Sequence, residues 1–490
     1  MLLRGGGHPA GSRLGLNRHR EGRRMKVLLI WPNSRNEVLG WGDLGAVAEP
    51  LALEYLAAGL ALEGHEPKVL DLRLHPDGLA RALADFAPDL VGVTAFSMHV
   101  LTALAICARA KALRPGCWTV VGGHHATFLP EDFFEPQVDF VVSGEGVRPL
   151  CQLVAALAAD GAVPSIPGLW ARAGGAFRSG GEPPPLDIDA LPLPDRGITA
   201  ADRHAYFIDW MKPVALIRTT VGCPYRCSFC SLWKMMDGRY LKRSVDRVVE
   251  EVAGIREEFV FLVDDEAFIN GRRMLALAEA LRRAGLRKRY FAYCRMDSLV
   301  RHREVLRAWR EIGLERLFVG VDAVTEKDLD EYQKRMSVAM IEQGFKVARE
   351  LGIEIFAQFV VNTDYTRRDF QRLVRFIEHH RIRYPSFTVL TPIPGTELLA
   401  SFDRVITRQR NGRPNWDLFD CQNAVTATRL PAEEFRREYQ NLYHVFKGSY
   451  TRYQEHPFLL ERAVHDGDVG ELTARLAARG DARALRGGAG

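Results

Sequence analysis

The sequence predicts an α/β protein: an N-terminal doubly wound domain, then a partial (β/α)6 barrel, then a small C-terminal helical cap. Three observations predict it. Short apolar runs alternate with amphipathic stretches along most of the chain. Most of those runs are apolar throughout, as strands covered on both faces of a parallel sheet are. Six of them follow one another in the second half, and the first, Val214-Ala-Leu-Ile217, leads into a loop bearing Cys223, Cys227 and Cys230.

Taken in order, residues 1–24 are Gly- and Arg-rich without an apolar centre, so they do not read as a secretory signal. They are expected to be a disordered tail, or an over-called start with Met25 the true beginning. Met25–Pro32 is a first strand. Leu51–Glu63 places Leu53, Leu56, Ala57, Leu60 and Ala61 at helical spacing. Lys68–Leu72, Asp89–Phe96, Trp118–Gly123 and Val138–Val142 are further strands, and Val100–Leu113 is a helix. Residues 25–155 therefore form one domain, whose ligand should lie at the carboxyl ends of its strands. A linker is expected over 156–212, Gly/Pro-rich from Gly174 to Pro185.

The barrel is expected over 213–400. Ser244 is placed to cap a helix whose Val245, Val248, Val249, Val252 and Ile255 keep helical spacing. Strands follow at Phe259–Val263, Tyr290–Tyr293, Arg316–Gly320, Ile353–Val361 and Ser386–Leu390. Helices Arg272–Ala284, Arg303–Ile312, Val338–Leu351 and Arg368–His379 separate them. Residues 401–465 are the cap, where Trp416, Phe419, Phe435, Tyr439, Tyr443 and Phe446 either line an apolar substrate site or simply pack. Residues 466–490 are a second tail.

Composition bounds the function. With 490 residues, 47% hydrophobic and 26% charged, the chain reads as a soluble globular protein of two or three domains. A net charge of +5 is too weak to imply nucleic acid. No apolar run is long enough to span a bilayer. Eight cysteines in a chain this long are not a disulfide framework and point to a reducing cytoplasm.

Three thiols spaced C-x3-C-x2-C suit zinc or an iron–sulfur cluster. A structural zinc site wants four protein ligands, and no fourth Cys or His follows closely. Three cysteines can hold three irons of a 4Fe-4S cluster and leave the fourth open to a small molecule. With Phe229 just before the last cysteine, the motif resembles the signature of radical S-adenosylmethionine (SAM) enzymes. The resemblance implies that Cys223, Cys227 and Cys230 are the catalytic and metal-binding residues, and that SAM chelates the open iron.

The strand ends of the first domain carry small residues: Thr94 and Ser97, then Gly122-Gly123-His124, then Gly144-Glu145-Gly146. They resemble the cobalamin-binding domain that precedes many radical SAM barrels. One departure is that the loop Asn33–Gly40 lacks the cobalt-binding His of D-x-H-x-x-G; His75 is a surface residue after the second strand. In the barrel, the resemblance implies that Asp264, Asp265, Arg295 and Asp322 help to hold SAM. Glu266 is as well explained by a solvated cap.

Val260–Ile269, Gly320–Ala323, Tyr332–Arg335 and Cys227–Trp233 are similar to hopanoid C-3 methylases. That similarity implies a cobalamin-dependent radical SAM C-methyltransferase, moving a methyl group from SAM through methylcobalamin to an unactivated carbon, C-3 of hopanoid ring A. The same parts serve a methylase or cyclase of another natural product, amino acid or peptide. A non-catalytic sensor would not need the three cysteines. No basic stripe or RNA-binding module supports a tRNA substrate. The expected partners are a lipid-like small molecule and an electron donor such as flavodoxin or ferredoxin. The expected place is the cytoplasm, with peripheral membrane contact.

Overall fold

The computed structural model describes residues 23–33, 46–159, 163–183, 185–208, 210–399 and 402–446. Most of the first tail, nearly all of the loop Asn33–Gly40, the end of the cap and the second tail lie outside the described residues.

In the first sheet, β1 (Lys26–Trp31) pairs in parallel with β3 (Glu66–Asp71) and β4 (Leu90–Thr94). β5 (Trp118–Gly122) and β6 (Phe140–Val142) continue in parallel, giving the order β3-β1-β4-β5-β6. That order reverses direction between β1 and β4, and ligands of doubly wound sheets bind at such a switch point. Antiparallel β7 (Leu169–Ala173) and β8 (Ala176–Ser179) extend the far edge.

The segment expected as a linker is therefore largely structure. Besides β7 and β8 it supplies β9 (Phe207–Ile208), which pairs with β2 (Ala46–Val47). Gly174 and Gly175 turn the β7–β8 hairpin, both with positive φ, the geometry two-residue hairpin turns favour.

The second sheet runs β10 (Val214–Ile217), β13 (Phe259–Leu262), β14 (Arg289–Cys294), β15 (Leu314–Asp322), β16 (Glu354–Val361), β17 (Tyr384–Val389), every pair parallel and in chain order. β10 and β13 are buried along their whole length, as strands under a helical layer must be. A short hairpin of β11 (Thr220–Val221) and β12 (Leu241–Lys242) carries the cysteine loop. Ser244 does stand at a helix N-terminus, but its hydroxyl makes no cap; it lies 3.3 Å from Asp189 Oδ1.

A buried charge network locks the two domains together. Glu49 Oε1 accepts the N–H of Leu216 on β10 at 2.5 Å. Arg203 pairs with Glu49 at 2.6 Å and with Glu257, while Arg196 pairs with Glu251 at 2.8 Å. The Thr199 hydroxyl donates to Glu54 Oε1 at 2.6 Å. Residues 196–203 are thus the cement of the interface.

The cap splits between two cores. Trp416 and Phe419 pack with the first domain, where the Trp416 ring stands edge-on to His125 at 4.6 Å. Phe435, Tyr439 and Phe446 pack on the barrel, and the Tyr439 hydroxyl donates to the Phe387 carbonyl at 2.9 Å. All five are buried, so the packing alternative holds for them and they do not line an open apolar site. No helix among the described residues is long and apolar enough to cross a membrane.

Candidate active site

The cysteine loop is pinned by two carboxylates that follow β13. Asp264 accepts the N–H of Thr219 at 2.5 Å, the N–H of Thr220 at 2.8 Å and the Thr219 hydroxyl at 2.6 Å. Asp265 Oδ2 accepts the N–H of Gly222 at 2.6 Å. Gly222 has φ +90°, and a Cβ there would run into the Arg239 carbonyl oxygen; only glycine makes this entry to the loop. Beyond Cys227, the N–H of Ser228 donates to the Tyr332 carbonyl at 3.1 Å, and the Phe229 ring meets the Tyr332 ring edge-on at 5.4 Å.

Burial pushes the Cys223 thiol up to about 11 and the Cys230 thiol to about 12, and neighbouring sulfurs add to both shifts. Positive charge nearby works against that burial. Arg295, at the end of β14, lowers Cys223 in part, and its Nη1 lies 3.9 Å from Cys227 Sγ. Its other groups are held. Nε donates to Asp297 Oδ1 at 2.9 Å, Nη2 to the Lys334 carbonyl at 2.7 Å, and the guanidinium lies 3.7 Å over the Tyr225 ring. Among the described residues no three Cys, His, Asp or Glu side chains converge on a single ion. A cluster needs less convergence, since each thiolate takes its own iron, so the three-thiol set fits a 4Fe-4S cluster with one iron left open.

The acids expected to hold SAM divide. Asp264 and Asp265 already serve the loop backbone. Glu266 is buried among neighbours of its own: Oε1 accepts the Arg295 N–H at 3.2 Å, the Ser298 hydroxyl and the Phe268 N–H stand beside it, and Oε2 has no bond of good geometry. Burial pushes its carboxyl up to about 7. Asp322 follows a bulge in β15, takes φ +63° and forms a buried ion pair with Lys334. Arg295, Lys334, Asp322 and Glu266 thus form one polar wall at the barrel mouth. Lys334 was visible only as part of Tyr332–Arg335, and nothing in its spacing announced a role.

At the carboxyl edge of the first sheet an aromatic floor appears. Trp31, ending β1, lies 6.3 Å from Phe96, beyond β4; Phe96 stacks on His124 at 6.0 Å, and His124 lies 5.2 Å from Phe128. Phe96 is 37% exposed. The rings are tilted against one another, by 53° between Trp31 and Phe96 and 58° between His124 and Phe128. This half-buried aromatic edge stands at the β1/β4 switch point, where apolar rings suit the face of a macrocycle such as a corrin. Sequence reading missed Trp31, Phe96 and Phe128, since single aromatics after strands carry no spacing signal.

The small residues expected there hold the floor's frame. A Cβ on Gly123, at φ +107°, would stand 2.8 Å from Ala95 N and 2.9 Å from Thr94 Oγ1, so the glycine lets two strand ends touch. Gly122, ending β5, precedes it. Ser97 Oγ lies 3.0 Å from His125 Nδ1, and His125 Nε2 is 2.9 Å from Asp132. The Gly144 N–H donates to Thr127 Oγ1 at 3.0 Å, and Glu145 accepts the Val147 N–H at 2.6 Å across Gly146.

The two edges meet directly. His124 Nε2 lies 2.7 Å from Ser231 Oγ, next to Cys230. The Phe128 ring packs on Gly395, in the turn after β17, too closely for any Cβ. A cavity of about 450 Å³ adjoins the loop, lined by Ser228, Tyr332, Leu390, Leu398, Glu331, Gln333, Glu397 and Arg404.

Comparison with known proteins agrees with this division. Residues 41–154 match the B12 binding domain family and residues 217–377 the radical SAM superfamily. The chain is 34% identical over 430 residues to the hopanoid C-3 methylase of Methylococcus capsulatus, covering 84% of this chain and 78% of that one. Its fold is similar to that of the radical SAM methyltransferase TsrM from Kitasatospora setae, solved with cobalamin and a [4Fe-4S] cluster bound (TM-score 0.61, 21% identity, 76% of this chain and 77% of that chain). It is also similar to the cobalamin-dependent enzyme OxsB, solved with aqua-cobalamin and SAM bound (TM-score 0.66, 15% identity, 87% and 72%).

Proposed function

This chain belongs to the cobalamin-binding radical SAM methylase family, and from that premise we propose that it methylates a hopanoid at C-3 of ring A. It is a radical SAM methyltransferase whose cofactors are cobalamin, a 4Fe-4S cluster and SAM. When bound, these groups supply a transferable methyl and a radical that opens an unreactive C–H bond.

The residues of this chain hold and align. Cys223, Cys227 and Cys230 would take the cluster, with Arg295 balancing thiolate charge at Cys227 and Asp264 and Asp265 fixing the loop. Glu266 and Asp322 would face the amino end of SAM. Trp31, Phe96, His124 and Phe128 would carry the corrin, with Thr94, Ser97, Gly122, Gly123, Gly144, Glu145 and Gly146 shaping the strand ends beneath it. The close seam at His124–Ser231 and Phe128–Gly395 would exclude water from between the two cofactors. A low-potential one-electron donor such as flavodoxin or ferredoxin would reduce the cluster, and a lipid-like substrate would be met at a membrane surface.

The observation that carries the hopanoid assignment is 34% identity to the M. capsulatus methylase across both domains. The test is anaerobic incubation with SAM, cobalamin, reductant and a purified hopanoid, followed by mass spectrometry. A gain of one methyl on ring A is expected; an unmodified hopanoid with abundant SAM cleavage would sink the assignment. A second reading keeps the chemistry and changes the substrate. Glu331, Glu397 and Arg404 on the cavity rim favour a molecule bearing hydroxyl or amino groups, because a bare hydrocarbon would strip water from them without replacing it. A polar natural product methylated in the same assay would establish it.

A further inference from the structure

Ser231 and His124 are each fixed from their own side. Ser231 is 1% exposed and begins a helical turn, its carbonyl accepting the N–H groups of Lys234 at 3.1 Å and Met235 at 3.0 Å. His124 opens the turn His124–Phe128 and lies between the rings of Phe96 and Phe128. Of the described hydrogen bonds between the two domains, the one joining them at 2.7 Å lies nearest in sequence to a cluster cysteine. One peptide bond separates Ser231 from Cys230.

We infer that the Ser231–His124 hydrogen bond couples the two cofactor sites, so that filling the cluster site tightens cobalamin binding, and the reverse. This rests on the reading that the corrin lies on the aromatic floor. Before ligation, three thiols on one loop have no common partner; Tyr332 holds Ser228 and Phe229, whereas the described hydrogen bonds of Cys230 and Ser231 stay within the loop or go to His124. Ligation of Cys230 fixes the Cys230–Ser231 peptide, which fixes the Ser231 hydroxyl, which holds the His124 ring stacked on Phe96. The corrin then meets a floor that is already ordered, and no longer bears the entropy of ordering it. Linkage requires the effect to be reciprocal. Burial pushes His124 down to about 4, so the bond joins two neutral groups. A neutral bond supports a factor of roughly 2–10, not several orders of magnitude. Ser231 is a positioning residue here, acting through His124, whose ring is part of the floor that would meet the corrin.

The experiment is an anaerobic titration with hydroxocobalamin, followed by tryptophan fluorescence, of full-length protein with and without reconstituted cluster. Iron content is measured first in every sample. In the parent protein the cluster should tighten cobalamin binding roughly fivefold. Ser231→Ala should bring that ratio close to one while still taking up iron; His124→Ala should do the same and, because its ring is part of the floor, weaken cobalamin binding with and without the cluster. His124→Gln, whose amide can stand near the Nε2 position, should recover part of the ratio. A Ser231→Ala protein that keeps the parent's full ratio would overturn the inference, as would a parent ratio of one. A parent that binds no cobalamin in either form would overturn the underlying reading as well, and so separates the two failures.

Discussion

Arg295 Nη1 stands 3.9 Å from Cys227 Sγ, and the same guanidinium lies 3.7 Å over the Tyr225 ring. A fixed cation beside a cluster thiolate favours the added electron, because reduction makes the cluster more negative. Arg295→Leu should make the cluster harder to reduce, moving its potential negative by on the order of 60 mV, a tenfold change for one electron. It should also cost about 3 kcal/mol of stability, since Asp297 loses a buried partner. Arg295→Lys should recover much of the potential but less of the stability, because an ammonium cannot reach Asp297 and the Lys334 carbonyl as a fork. An EPR-monitored redox titration decides it: an unmoved potential in the leucine variant would refute the charge argument.

Asp264 stabilises the cluster site without needing to touch it. Its oxygens take two backbone N–H groups and one hydroxyl at the start of the cysteine loop. Asp264→Ala leaves those donors buried and unpaired, at about 1–3 kcal/mol each. Iron and sulfide per chain after reconstitution should fall by more than half. Asp264→Asn keeps one acceptor oxygen and should lose much less. Equal iron content in the alanine variant and the parent would show that the loop is held from elsewhere.

The strand–helix alternation was legible because parallel strands buried on both faces are written as plain apolar runs, and β10, β13 and β16 stand where those runs lie. The cysteine loop was legible because a ligand set on one loop is local in sequence. The β7–β8 hairpin was also written, in Gly174-Gly175 between short β-prone runs, but a Gly/Pro-rich neighbourhood made it read as a linker. The aromatic floor and the Asp322–Lys334 pair were not legible. Each depends on residues brought together by the topology, and a lone Phe after one strand says nothing about a Trp after another. Asp264 and Asp265 stood out as acids at a barrel mouth expected to hold SAM, and the structure pairs them with loop backbone N–H groups and the Thr219 hydroxyl.

Interface chemistry makes stability depend on pH. Glu54 faces Glu49, Arg196, Arg203 and the Thr199 hydroxyl in the seam between the domains. Burial, then the neighbouring Glu49 charge, pushes its carboxyl up to about 8 from an ordinary 4.5. A group raised on folding contributes stability that is full below its unfolded value and is lost as pH climbs through its folded one. Stability from Glu54 is therefore complete below pH 4.5, declines from there and is gone above about pH 8. Glu54→Gln should remove that decline, leaving the variant on the order of 2 kcal/mol more stable relative to the parent at pH 9 than at pH 6. Urea unfolding at the two pH values measures it, and parallel curves for both proteins would contradict the assignment.

Asp322 combines a left-handed backbone with a buried charge, and the two can be separated. Its φ of +63° follows the bulge in β15, and its carboxylate pairs with Lys334 away from solvent. Asparagine tolerates that backbone well. Lys334→Met alone strands the Asp322 charge and should cost roughly 3–5 kcal/mol. Adding Asp322→Asn to Lys334→Met removes the stranded charge, and stability should return by about 2 kcal/mol, a coupling expected of residues in contact. SAM binding, measured by equilibrium dialysis on cluster-loaded protein, should behave differently. If Asp322 also holds the amino end of SAM, the double variant regains its stability but binds SAM about tenfold more weakly, the loss of one charge-assisted hydrogen bond. Parental SAM affinity in the double variant would reduce Asp322 to a scaffold for Lys334, leaving Glu266 as the acid that receives SAM.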